Sequence, residues 1–329
     1  MTKLKIIISA VIILTMLYSC SNNSNLKSQS EFPKSGTLKA PRGSFNFFVV
    51  SDWGRNGFVN QKEVAAQMTK TAMKIEPKLI VSCGDNFQVN GVASVSDPLW
   101  LTSYENIYNH PSLMVDWFPI LGNHDYCGNT QAEIDYSKIS RRWRMESHYY
   151  TFVRKINDSV SARLIFLDTP PLVSEYYNKG GYPDISKQDT AKQMIWLKDV
   201  LRNSKEQWKI VFGHHPVFSA SKKHGNTPDL IRKLKPLFEK YNVQYYFCGH
   251  DHDMQHLREK DGHVDYIVSG SGSENREAST NDMSLFSKSV PGFSIISLYS
   301  DSIRICFLDT AGTIVYKTHR MYREILHKN

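Results

Sequence analysis

Short apolar runs alternate with amphipathic stretches along most of this 329-residue chain. The segments FNFFVVS (residues 45–51), KLIVSCG (78–84), WFPILG (117–122), RLIFLD (163–168), WKIVFG (208–213) and VQYYFCG (243–249) are apolar at nearly every position. That is the pattern of central strands covered on both faces. Between them QKEVAAQMTKTAMK, DPLWLTSYENIYN, TAKQMIWLKDVLRN and TPDLIRKLKPLFEKY carry helical spacing. Asp97-Pro98 and Thr227-Pro228 supply start signals, a capping residue followed by proline at the first helical position. The βαβ series predicts a layered α/β fold. From about Asp265 the pattern changes to YIVSGSGS, FSIISLYS, SIRICFLD and TIVYKT, strands with little helix between them, which predict an additional sheet closing the domain. No internal repeat occurs, and no second linker follows Gly43.

The N-terminus is organised differently. Lys3 and Lys5 precede an apolar run, residues 6–17, and the chain then turns polar. This is the layout of an export signal, and the run is short for a membrane span, which needs roughly 20 apolar residues. Leu17-Tyr18-Ser19-Cys20 resembles a bacterial lipoprotein box, with Cys20 the lipidated residue and Tyr18 a loose fit; plain secretion and a retained anchor are the other readings. The expected organisation is a signal over residues 1–20, a flexible tether over 21–43, rich in Ser, Asn, Lys and Pro, and a single catalytic domain over 44–329. The protein is expected to be exported, on the periplasmic or cell-surface side, touching the membrane only through its lipid.

Composition adds little beyond this. The apolar content suits a globular core, and the net charge of +8 falls to +6 once Lys3 and Lys5 leave with the signal. A mild positive excess suits an anionic substrate, and no long single-sign run or nucleic-acid module is present. With Cys20 assigned to lipid, Cys83, Cys127, Cys248 and Cys306 remain. They are read as buried thiols, although an exported protein could oxidise a pair.

The chemistry sits where the strands end. The exits read SDWG, CGDN, LGNHD, FGHHP and CGHDH, bringing in Asp52, Asp85, Asn123 with His124, His214 with His215, and His250 with His252. Each alone has a plain structural explanation as a turn, cap or core residue. Five such exits at glycine-marked turns point to one ligand-binding edge, because loops converge at the carboxyl ends of strands in an α/β sheet. Two carboxylates, an amide and three imidazoles suit iron, zinc or manganese better than calcium or magnesium, which prefer all-oxygen shells. A carboxylate shared between two ions makes the arrangement that clamps the attacking and leaving oxygens on phosphorus.

These motifs, in this order, resemble the metallophosphoesterase superfamily, and specifically the small purple acid phosphatases of tartrate-resistant type. The similarity covers roughly residues 45–273 and is weaker over 170–188 and the C-terminal strands. The resemblance implies a four-layer α/β/β/α sandwich of two mixed sheets flanked by helices, with a dimetal site at the carboxyl ends of the strands. It implies that Asp52, Asp85 and His252 hold the first ion, and that Asp85 as a bridge, Asn123, His214 and His250 hold the second. His214 rather than His215 matches the ligand position. His124 and His224 match outer histidines that contact phosphate or protonate the leaving group. The implied reaction is hydrolysis of phosphate monoesters, on a phosphorylated small molecule or phosphoprotein, by a monomer.

One position departs from the family. Its G-D-x-x-Y tyrosine, ionised on ferric iron, is here Gln88, which offers a neutral oxygen at most. With one anion fewer, two divalent ions become more plausible than a ferric–divalent pair, so iron is expected with iron, zinc or manganese and without the purple colour. A phosphodiesterase or nucleotide hydrolase on the same metals, and an inactive binding lipoprotein, are the alternatives. Trp53, Phe87 and Tyr126 are read as packing residues, and Arg141, Arg142 and Arg144 as a solvated helix face.

Overall fold

The computed structural model describes residues 42–325. The segments expected as an export signal with Cys20 and as a tether, up to residue 41, lie outside the described residues. Two mixed sheets form the centre. The first has the strand order β13 (Ile314–Met321), β12 (Ser302–Asp309), β11 (Gly292–Leu298), β1 (Phe45–Val50), β2 (Leu79–Ser82) and β3 (Asp116–Pro119). The second runs β10 (Ser284–Lys288), β8 (Met254–Leu257), β9 (Asp265–Ser269), β7 (Tyr245–Cys248), β6 (Trp208–Phe212), β5 (Ser161–Phe166) and β4 (Tyr150–Lys155).

Each sheet has a parallel core with antiparallel flanks: β1, β2 and β3 run parallel in the first, and β5, β6, β7 and β9 in the second. Both parallel cores are largely apolar and buried, because they are covered on both faces. The sheets meet through Phe47 and Phe212, edge to face at 6.3 Å, and through Ser269 Oγ, which donates to Val49 O (3.2 Å) and accepts from Ser294 Oγ (2.8 Å). Helix α1 (Gln61–Ile75) lays Val64, Met68, Ala72 and Ile75 against the first sheet. On the second, α4 (Pro228–Lys240) packs Phe238 on Tyr246, and α3 (Thr190–Asn203) ties to the chain just past β5 through the Gln193 side chain, which accepts from Asp168 N and donates to Asp168 O. This is the four-layer α/β/β/α sandwich. Two short helices, α2 (Thr130–Asp135) and α5 (Tyr322–Ile325), complete the set among the described residues. None of the described helices is long and apolar enough to cross a membrane.

Several local expectations need correction. The late strands do not build an additional sheet: β9 and β10 join the second, while β11, β12 and β13 extend the first from β1. Pairing partners distant in the chain decide this, and strand periodicity cannot name them. The expected helix over residues 97–109 is a π-helical turn, Trp100–Glu105, because the wider turn buries Trp100, Ser103 and Tyr104 together. Asp97 does accept a bond from Leu99 N (2.9 Å), whereas the Thr227 side chain makes no cap bond.

Arg142 is not on a solvated face. Its guanidinium lies 4.3 Å over the Tyr104 ring, pairs with Glu105 at 3.0 Å and donates to Tyr108 O, since the aromatic cluster of Trp53, Phe87, Tyr104, Tyr108, Trp117 and Trp143 offers a cation a ring face. Arg144 pairs with Asp116 across to β3, and no helix carries these arginines. Trp53, Phe87 and Tyr126 are fully buried. All four described cysteines are free, and Cys127 is only partly buried, lying in the loop after β3 rather than in the core.

Candidate metal centre

The carboxyl ends of the two parallel cores meet at one edge, and the loops leaving β1, β2, β3, β6 and β7 supply the polar side chains there. Ser51 fastens the first two exits together, donating to Cys83 O (2.9 Å) and Gly84 O (3.0 Å). Asp52, Asp85 and His250 all have positive φ, at 58°, 49° and 67°. Such backbone costs on the order of 1–3 kcal/mol per residue and persists where the surrounding structure over-determines it. The turns are that tight because glycines let them touch. A Cβ on Gly122 would overlap the Asp85 carboxylate, and one on Gly249 would overlap Ser51 and Asp52.

Two groups of donors result. Asp52, Asp85 and His252 each offer an atom within 4.8 Å of the others, and His252 Nε2 lies 3.3 Å from Asp52 Oδ1. Beside them His214 Nε2 lies 3.2 Å from Asn123 Oδ1, 3.3 Å from His250 Nδ1 and 3.4 Å from Asp85 Oδ1. Asp85 therefore faces both groups. All six side chains expected as ligands are brought together.

His215 also approaches His214 and His250, but its ring nitrogens are occupied. Nδ1 lies 3.1 Å from Thr169 Oγ1 and Nε2 2.7 Å from Tyr176 OH. His214, by contrast, spends only Nδ1, on Cys83 O (2.9 Å), which leaves Nε2 facing the cluster. The interleaved Asp251 and Asp253 turn elsewhere, to Ser219 and Gln255. The outer histidines flank the cluster. His124 meets Val89 O through Nδ1 (2.6 Å), with Nε2 3.9 Å from Asp85 Oδ2, and the His224 ring lies 4.2 Å from that of His250.

The donor set fits cations. Asp52 Oδ1 is buried with no hydrogen-bond partner among the described residues, and beside it the His214 and His250 nitrogens crowd against the Asn123 and Asp85 oxygens. Burial works against the Asp52 charge, yet His252, His214 and Ser51 hold its carboxyl down at about 2. Burial likewise opposes charge on His214, but Asp85 and Asp52 push it up. Desolvation, with His215 and His214 next to it, pushes His250 well down and keeps that imidazole neutral, the form that binds metal. Gln88 is buried, and both its amide atoms lack a hydrogen-bond partner among the described residues.

Residues 45–254 match the model of the calcineurin-like phosphoesterase family. The chain belongs to that family. Relatives of this phosphoesterase include purple acid phosphatase 4 of Arabidopsis thaliana, 36% identical over 84% of each chain. Human tartrate-resistant acid phosphatase type 5 is 32% identical over 84% of this chain and 90% of its own. Among solved structures, GAP50, the anchor in the inner membrane complex of Plasmodium, superposes with a TM-score of 0.73 at 26% identity, over 84% of this chain and 88% of that one. Family membership and the purple acid phosphatase relatives support phosphoester hydrolysis at a dinuclear metal centre.

Sequence reasoning missed the supports beneath the site. Thr169, just past β5, accepts from both His214 N (3.1 Å) and His215 N (3.0 Å). Asp125 staples the Asp85 loop to the Asn123 loop, accepting from Gly122 N (2.8 Å), Phe87 N (3.0 Å) and Asn86 N (3.1 Å). Its neighbour Glu133, on α2, accepts from Asn86 Nδ2 (2.9 Å). Burial first, then the Asp125 charge, pushes the Glu133 carboxyl well above its ordinary range. Burial and Asp85 push Asp125 up to about 7.

The folded pair thus holds a proton that an unfolded chain releases near its ordinary carboxylate range. That stability is complete below this range and is lost as pH rises towards the folded values, by up to about 1.4 kcal/mol per pH unit. Glu133→Gln mimics the protonated form. In chelator-treated protein its melting temperature, relative to wild type, is expected to rise between pH 5 and pH 8; a difference that stays flat across that range would show that Glu133 carries no such proton.

Proposed function

We propose that this protein hydrolyses phosphate monoesters at a pair of divalent ions. The observation that carries the reading is the position of Asp85, whose carboxylate faces the Asp52–His252 group and the Asn123–His214–His250 group at once. Asp52, Asp85 and His252 would hold one ion, and Asp85, Asn123, His214 through Nε2 and His250 through Nδ1 the other. Two such ions, when bound, polarise the phosphoryl oxygens and bring the pKa of a water down to about 7.

The chain's own residues do the rest. With Nδ1 anchored on Val89 O, His124 keeps Nε2 free to meet an oxygen of the substrate's phosphate. His224 stands at the rim over His250, and desolvation, then Arg276 and Lys223, push its imidazole down to about 4. It therefore carries a proton near neutrality only when an anionic substrate lies alongside to hold it, which ties proton donation to the bound state. Gln88 brings no charge, so the two carboxylates face two divalent ions better than a ferric–divalent pair. Iron(II), zinc and manganese all suit this mixed oxygen and nitrogen set. The substrate is a phosphorylated small molecule or phosphoprotein, met by a monomer outside the cytoplasm.

The rival is a binding protein on the same fold, as the anchor GAP50 illustrates among the solved relatives. Metal content separates the two. The purified protein is expected to carry two ions per chain and to cleave an aryl phosphate, and Asp85→Asn and His214→Ala to abolish that cleavage; a chain that takes up no metal would end the hydrolase reading. His224→Ala is expected to slow alkyl phosphates by about 100-fold or more while sparing esters with activated leaving groups; equal slowing of both would remove His224 as the proton donor. The metal-loaded protein should show no visible charge-transfer band, and a purple preparation would contradict the divalent pair.

A further inference from the structure

The loop past β9 is fastened across the first ion group. Ser273 Oγ donates to Asp52 O (2.5 Å), and Arg276 N donates to His252 O (2.7 Å). Glu274 stands between these two anchors. Its Oε2 lies 3.2 Å from His252 Nδ1, 2.5 Å from Arg55 Nη2 and 3.4 Å from Arg276 Nη2.

His252 is almost fully buried, and its two ring nitrogens face opposite ways: Nε2 meets Asp52, while Nδ1 meets Glu274 and finds no hydrogen-bonding group besides it among the described residues. Glu274 approaches at ion-pair distance but off the line of the ring N–H, so a small rotation of ring or carboxylate aligns the bond. Arg276 and Arg55 lie against the same carboxylate, and the bonds from Ser273 Oγ and Arg276 N on either side hold its segment in place without them. A metal-ligating imidazole commonly gives its second N–H to a carboxylate, which sets the tautomer and raises the ligand's basicity.

We infer that Glu274 is a positioning residue for the first ion: it holds His252 with the proton on Nδ1 and the Nε2 lone pair inward, and sets a third carboxylate one imidazole away from the ion. This rests on the reading of His252 as a ligand. It also gives the site a negative charge, which the neutral Gln88 does not supply. The contrasting role would be a counter-ion for Arg55 alone.

The test uses the full-length protein loaded with Zn(II), with metal content followed during titration with a competing chelator. In Glu274→Gln one of the two ions is expected to bind about 10–100-fold more weakly, the other as in wild type. Glu274→Asp, which keeps the charge but withdraws it, should fall between. Arg55→Gln, which keeps the carboxylate, should hold both ions close to wild type. The inference is overturned if Glu274→Gln retains both ions at wild-type affinity, or if it and Arg55→Gln lose affinity alike. Should Glu274→Gln not fold, Glu274→Asp decides: an unchanged affinity for both ions overturns the inference. A wild-type protein that binds no zinc would instead sink the proposed function.

Discussion

A single carboxylate, that of Asp85, lies within reach of two otherwise separate sets of donors, and the rest of the edge is arranged to keep it there. Its backbone sits in the left-handed region, Gly122 is pressed against it, and Asp125 pins the loops on either side. Strain of this kind survives only because both sheets converge on the same edge, with Ser51 binding the exits of β1 and β2 and Thr169 holding the β6 exit. The four layers matter to function chiefly in this way: they make a rigid frame whose strand ends cannot drift apart.

Electrostatics follow from that convergence. Carboxylate, amide and imidazole donor atoms crowd together at 3.2–3.4 Å with few hydrogen atoms to share, a buried arrangement that a cation would satisfy. Asp52 and His250 are both displaced downward, which holds one as an anion and the other as a neutral ring, and leaves these two donors in the protonation states that a metal requires. Deeper groups hold polar atoms that do not face the cluster: Glu133 accepts from Asn86, and Tyr176 OH meets His215.

Much of this was legible in the sequence because a strand exit is a local event. An apolar run, a glycine and then a ligand-type residue are adjacent in the chain, so Asp52, Asp85, Asn123, His214, His250 and His252 could all be named without knowing the fold. The choice of His214 over His215 needed the family resemblance, and the structure adds a physical reason in the hydroxyls that occupy His215. What could not be read depends on distant partners. The sheet that each C-terminal strand joins, the π-helical turn around Trp100 and the burial of Arg142 among aromatic rings are all set by packing between segments far apart in sequence. Glu274 gave only a weak signal, an acid in a polar loop past a strand, and its approach to His252 is visible only in three dimensions.

The most direct measurement is anomalous diffraction from crystals of the metal-loaded protein, collected on both sides of the metal edge. Two peaks roughly 3.5–4 Å apart, each within bonding distance of Asp85, are the predicted result. A single peak, or an ion held by His215 with Asp85 uninvolved, would contradict it.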